Sequence, residues 1–251
     1  MIKKTYTHKG SFALESGQTL NDIEIAYHIS EATIDSSKPV IWICHALTAN
    51  SDAEDWWPGM VGKGKLFDPD KYTLVCANIL GSCYGTTGAL SINPATGKQW
   101  LNGFPLITVR DWANAHELLR DHLGIEKIYL IAGGSIGGFQ SMEWAIIRPQ
   151  RFEHMMLVAT SYMQTAWANA INETERMSIE ADSTFFNGDP NGGKAGLAAA
   201  RGLGLLSYRG YEAYNLTQSE KDNEQLENFR ASSYQRYQGK KLVDRFNAHC
   251  Y

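Results

Sequence analysis

Ser135 sits at the centre of Gly133-Gly134-Ser135-Ile136-Gly137, the G-x-S-x-G spacing of a nucleophile elbow. A serine hydroxyl attacks a carbonyl only when it is presented clear of its own backbone, beside donors for the oxyanion and a base for the proton. The outer glycines leave space for strained backbone at the serine, where bulkier residues would collide with the turn. The context fits. Residues 128–132 are an apolar run of strand length, and a helical pattern follows the turn as far as Trp144. The hydroxyl then stands above a sheet edge at a helix N-terminus, whose dipole favours developing negative charge. A glycine-rich turn with an incidental serine is the rival reading, and the strand–turn–helix context weighs against it.

In such an arrangement one oxyanion donor is the N–H after the nucleophile, here Ile136, and the other comes from the loop after an earlier strand. His45-Ala46-Leu47-Thr48 occupies that loop position, which makes the Leu47 N–H the second donor. His45 is read as a structural histidine anchoring the loop, because the base should follow the serine in the chain. Only His154 and His249 follow Ser135, and neither lies in a loop after a late strand. Residues 81–88 (GSCYGTTG) hold no lysine, so they are not a phosphate loop, and Cys83 is read as an ordinary loop thiol. Arg201 and Tyr208 lie two helical turns apart and can share a face. They are either a solvated arginine and a packed tyrosine, or a guanidinium clamp for a carboxylate with the tyrosine beside it.

The elements that position these residues are legible from periodicity. Two strand-like runs, 11–15 and 22–29, read as an antiparallel hairpin. Residues 39–44 are continuously apolar, as expected of a strand covered on both faces, and 72–77 read as another buried strand. Residues 108–123 carry apolar groups at helical spacing, with Gly124 as the stop, and 155–159 form a further strand. This alternation argues for an α/β fold with a mostly parallel sheet, helices on both faces and an antiparallel edge. Residues 164–251 show no strand pattern. The chain is therefore divided into a core, 1–160, and a helical cap, 161–251.

The 251 residues carry a net charge of -4, with no basic run beyond Lys240-Lys241. That gives no electrostatic case for nucleic acid. No apolar stretch reaches membrane-spanning length. The four cysteines show neither C-x-x-C spacing nor clustering with histidine, so no metal site is expected and a reducing cytoplasm is.

Several blocks together carry a family resemblance: HALT at 45–48, NILGSCYGTTG at 78–88, FPLITVRD at 104–111, GSIGG at 134–138 and SYQRYQG at 233–239. In order and spacing they resemble the signature blocks of homoserine O-acetyltransferases, members of the α/β-hydrolase superfamily. The resemblance runs over essentially the whole chain, with Ala49 and Ala89 standing where glycine and proline are expected. It implies an α/β-hydrolase-like fold with a helical cap, acetyl-CoA as co-substrate, L-homoserine as acceptor and a role in methionine biosynthesis. No bound cofactor is implied. Ser135 would carry the acetyl group, and Arg201 and Tyr208 would contact substrate. A homodimer through the cap is implied at full length. The resemblance also implies that the triad's aspartate and histidine lie beyond Tyr251, which leaves this chain alone inactive, with 153–160 as an uncovered sheet edge. Rival readings are a serine esterase of the same fold, a homoserine O-succinyltransferase or serine O-acetyltransferase, and an inactive binding module.

Overall fold

Strands with no polar face need cover on both sides, and their placement organises the first of two compact units, Met1–Ser91 with Gly103–Tyr162. The computed structural model describes residues 1–222 and 224–251. The strands of this unit are β1 (Ile2–Thr7), β2 (Ser11–Ala13), β3 (Thr19–Asn21), β4 (Glu24–Ile29), β5 (Val40–Cys44), β6 (Thr73–Ala77), β7 (Ile128–Gly134) and β8 (Phe152–Val158). Its helices are α1 (Ala53–Trp56), α2 (Val109–His122) and α3 (Ile136–Ile147). Six strands form one sheet in the order β1-β4-β6-β5-β7-β8. β6, β5, β7 and β8 run parallel, while β4 pairs antiparallel with both β1 and β6.

Every residue of β5 and β6 is buried, and β5 shows how the two faces are covered. Ile41 and Ile43 pack into a cluster with Ala53 of α1, Val61, Phe67 and Leu74. Trp42 points the other way and meets the Trp144 ring edge-on at 5.0 Å and the His116 ring at 5.8 Å. Helices α2 and α3 thus cover one face, and α1 with its following loop covers the other. This is the α/β-hydrolase architecture expected from the sequence.

Two expectations need correction. Residues 11–13 do form a hairpin, but with β3 in a separate two-stranded sheet. The strand expected at 22–29 appears as β4, and its antiparallel partners are β1 and β6. β1 was missed because Ile-Lys-Lys-Thr-Tyr-Thr lies at the sheet edge, with no residue fully buried, and so shows no apolar run.

The chain runs from β5 to β6 on one side and returns to β7 on the other. The loops leaving β5 and β7 therefore diverge at a topological switch point, where open α/β sheets form their sites. Helix α2 is started by a capping box, with the Thr108 side chain accepting from Asp111 N–H and the Asp111 carboxylate accepting from Thr108 N–H. Buried Glu117 ties α2 to α3, accepting from Trp144 Nε1 at 2.8 Å and from Arg120 Nη2 at 2.9 Å. Cys44 and Cys76 are buried thiols in β5 and β6.

The second unit comprises Ile92–Asn102 and Met163–Tyr251. It contains α4 (Ala166–Glu180), α5 (Lys194–Ser207), α6 (Tyr211–Gln218) and α7 (Arg230–Val243), and no strand among its described residues. α5 packs on α4 and α7. Gly196, Ala200 and Gly204 are buried at four-residue spacing along it, with Gly196 against the Ile179 backbone and Gly204 against the Glu175 carboxylate. No helix among the described residues is long and apolar enough to cross a membrane.

Among the described residues β8 pairs on one side only, and Met155, Leu157 and Val158 are 39–40% exposed. A parallel edge of this kind offers unpaired backbone groups to another strand. Light scattering is expected to show the chain's mean mass rising with concentration, and Leu157→Lys should suppress that rise. A wild-type chain that stays monomeric throughout would refute it.

Candidate active site

The pairing of β5 with β7 aligns Cys44 with Gly133, so the loop at 45–48 and the turn at Ser135 leave the same sheet edge side by side. Ser135 adopts φ 55° and ψ -124°, a region that costs a non-glycine residue about 1–3 kcal/mol. The surroundings hold it there. Its N–H donates to Val158 O at 3.0 Å, and its carbonyl accepts from Gly138 N–H at 2.9 Å and from the Thr160 hydroxyl at 2.8 Å. Both backbone polar groups of Ser135 are thus satisfied, and the residue is exposed. The motif's outer glycines are needed for space. A β-carbon at Gly133 would overlap the Gly137 carbonyl, and one at Gly137 would overlap the Cys44 carbonyl.

The expected oxyanion donors are free to act. Among the described residues the Leu47 N–H has no acceptor, and Ile136 opens α3, where an N–H lacks an intrahelical partner. Thr48, with φ 62°, closes a turn in which Ala49 N–H donates to Ala46 O at 3.0 Å. The Tyr84 hydroxyl braces this turn from outside, donating to Thr48 O at 3.3 Å.

No described histidine hydrogen-bonds the Ser135 hydroxyl. His45 is buried, with Nδ1 bonded to Ala46 O at 2.9 Å and Nε2 accepting from Ile79 N–H at 3.3 Å. Burial drops its pKa to about 4, so it is a neutral anchor, in keeping with the structural role read from sequence. His116 is likewise buried and lowered to about 4, and bonds Gln140 Oε1 at 3.1 Å. His154 pairs with Leu130 and packs edge-on against Tyr129 at 4.9 Å. It lies four residues before Val158, roughly 13 Å along the strand from the elbow end. His249, in the second unit, contacts Asn102 Oδ1 at 2.7 Å and Asp189 O at 3.1 Å.

Arg201 and Tyr208 also lie in the second unit, on α5 and at its C-cap. Near them is a residue the sequence reading passed over. Glu175 is 2% exposed, accepts from the Tyr251 hydroxyl at 3.2 Å and leaves its other oxygen unpartnered. Burial raises its pKa, against that hydrogen bond and the charges of Arg176 and Arg201. Gln140, five positions after Ser135, was missed too; it is fully buried beside Ser141 on the inner face of α3.

Comparison with known proteins bears on what this geometry serves. Residues 39–240 match the family model described as alpha/beta hydrolase fold. A homoserine O-acetyltransferase of Cyclobacterium marinum is 43% identical over 252 residues, covering 100% of this chain and 71% of the relative. The chain belongs to the homoserine O-acetyltransferase family of α/β-hydrolases. A solved homoserine O-acetyltransferase of Staphylococcus aureus superposes with a TM-score of 0.78 at 28% identity, covering 100% of this chain and 69% of that one. Esterase E22 superposes with a TM-score of 0.88 at 24% identity, covering 99% and 75%, a likeness of fold. Proteins named as homoserine O-acetyltransferase and as esterase thus share this scaffold.

Two outcomes are expected. Gly137→Ala should lower stability to urea by about 1–3 kcal/mol, as overpacking of a tight contact does; an unchanged unfolding midpoint would mean the Cys44 carbonyl yields freely. His45 and His116 stay neutral in the folded chain down to about pH 4, whereas the unfolded chain takes up each proton near 6.5. The unfolded state then binds more protons in that window. Stability is full above pH 6.5 and falls toward pH 4 by about 1.4 kcal/mol per pH unit per histidine. Urea unfolding of His116→Gln should lose stability on acidification less steeply by about that slope, and equal slopes would show the folded ring to be protonated.

Proposed function

We propose that the chain carries the acyl-transfer centre of a homoserine O-acetyltransferase. Ser135 attacks the thioester carbonyl of acetyl-CoA, and the Leu47 and Ile136 N–H groups stabilise the oxyanion. Coenzyme A leaves as the acetyl-serine forms, and the hydroxyl of L-homoserine then takes the acetyl group. Arg201 clamps the substrate carboxylate with its planar fork, and Tyr208 lies beside it. The observation that carries the reading is the backbone of Ser135, held at positive φ next to a loop whose Leu47 N–H has no acceptor among the described residues. The substrates follow from likeness to relatives of that name.

A base must move the proton in both half-reactions, and no described residue is assigned to it. The 71% of the Cyclobacterium relative that the chain spans is the part supporting this reading. With no base assigned, acylation of Ser135 is the step to observe. Pairing of two copies belongs to the same proposal, and the helical unit leaves Trp167, Tyr211 and Leu216 exposed for it.

The test is peptide mass spectrometry after incubation with acetyl-CoA or the more reactive p-nitrophenyl acetate. An acetyl label on Ser135, absent in Ser135→Ala, is expected, and it should be discharged faster by L-homoserine than by water. Arg201→Ala should remove that preference while leaving labelling intact. A label lost to water at the same rate with or without homoserine would make the protein an esterase. No label on Ser135 would end the proposal.

A further inference from the structure

A backbone N–H stabilises an oxyanion cheaply only if its peptide already points the right way. The Ile136 N–H is aimed by the helix it opens. The Leu47 N–H lies in a loop and has no helix to aim it. It belongs to the peptide whose carbonyl is that of Ala46, and in a planar trans peptide N–H and C=O point in opposite directions. Whatever holds Ala46 O therefore aims Leu47 N–H. Two donors hold it, the His45 ring at 2.9 Å and Ala49 N–H at 3.0 Å.

The preceding peptide is held as well. The His45 carbonyl accepts from Gln140 Nε2 at 3.1 Å. Gln140 comes from α3, the helix that begins just after Ser135, so this bond ties the loop donor to the element that carries the nucleophile and the other donor. The amide cannot turn over. The His45 carbonyl can only accept, so Gln140 Nε2 must face it; Oε1 then faces His116 Nε2 at 3.1 Å, and that ring nitrogen carries the proton as the donor. Gln140, His45 and His116 are each no more than 1% exposed. Burying three polar side chains costs free energy unless their bonds are made, and an apolar residue at 140 would satisfy packing alone.

We propose that Gln140 is a positioning residue for acyl transfer: oriented by His116, it locks the His45–Ala46 peptide and, together with the His45 ring and Ala49 N–H on Ala46 O, presets the Leu47 N–H against the nucleophile's helix. This rests on the reading of Ser135 as nucleophile. The loop donor is thereby fixed before any acyl group arrives, and the Gln140 bond acts on the rate of acylation rather than on the affinity for the ester.

The experiment is single-turnover acylation of the full chain by p-nitrophenyl acetate, read as p-nitrophenolate release, with 15N relaxation dispersion at the Leu47 and Ile136 amides. In Gln140→Met, a substitution of similar shape, acylation is expected to slow about tenfold to a hundredfold. The ester concentration giving half the maximal rate should not change, and Leu47 but not Ile136 should acquire exchange. Should that variant be unfolded, His116→Leu decides, since it leaves Gln140 in place without its orienting donor; slower acylation with exchange at Leu47 supports the proposal. Acylation at the wild-type rate, or slowing without exchange at Leu47, in a folded variant overturns the positioning role while Ser135 remains the nucleophile. A wild-type chain that is never acylated on Ser135 removes both.

Discussion

Nothing larger than a hydrogen atom fits between Gly137 and the carbonyl of Cys44. That contact is where the last residue of β5 meets the first turn of α3, and much of the site's geometry follows from it. It brings the loop at 45–48 against the helix that starts after Ser135, close enough for Gln140 to reach the His45 carbonyl. It also explains why the serine must bend the chain so sharply. β7 ends beside Cys44, and the only way onward is a turn tight enough to set α3 directly across the neighbouring strand. The strain at Ser135 is the local cost, and it is offset by the hydrogen bond it donates to Val158 and those it accepts from Gly138 and Thr160.

Much of this was visible in the amino acids. Continuous apolar runs identified β5 and β6, because strands buried on both faces have no polar side to confuse the pattern. Gly133, Ser135 and Gly137 announced the turn, because each glycine there answers a collision a side chain would make. Other parts were hidden. β1 lies at an edge with both faces partly wet, so burial left no mark on Ile-Lys-Lys-Thr-Tyr-Thr, and β4 was given the wrong neighbour in consequence. The hydrogen bonds of His45 and Gln140 join residues 95 positions apart, and local spacing holds no trace of such a bond. Glu175 was hidden for a related reason: in sequence it is one charged residue among several on a mixed helix, and only packing against Gly204 shows that it is buried.

The polar groups near the site divide into two kinds. Those that the proposed reaction would use, the Ser135 hydroxyl and the Leu47 and Ile136 N–H groups, have no partners among the described residues. Those that hold them, His45, Gln140 and His116, are buried and bonded to one another or to backbone. The same chemistry serves both ends because burial decides which groups are spent on structure. A neutral imidazole with both nitrogens occupied, as in His45, is a strut, and the exposed hydroxyl on the strained turn is the group that the proposed acyl transfer would use. The scaffold shared with esterases fits this division, since the struts say nothing about which nucleophile receives the acyl group.

Cys44 and Cys76 lie on adjacent strands at the middle of the sheet, the thiol of Cys44 pushed up to about 12 by burial and that of Cys76 also driven upward. Neither sulfur can ionise or meet a reagent while β5 and β6 stay packed. Cys83 and Cys250, only partly buried, are accessible without such opening. The chain thus carries its own gauge of integrity. The slow pair of thiols reports rupture of the very strands that support the elbow, so the pace of their modification measures how long the scaffold survives between openings.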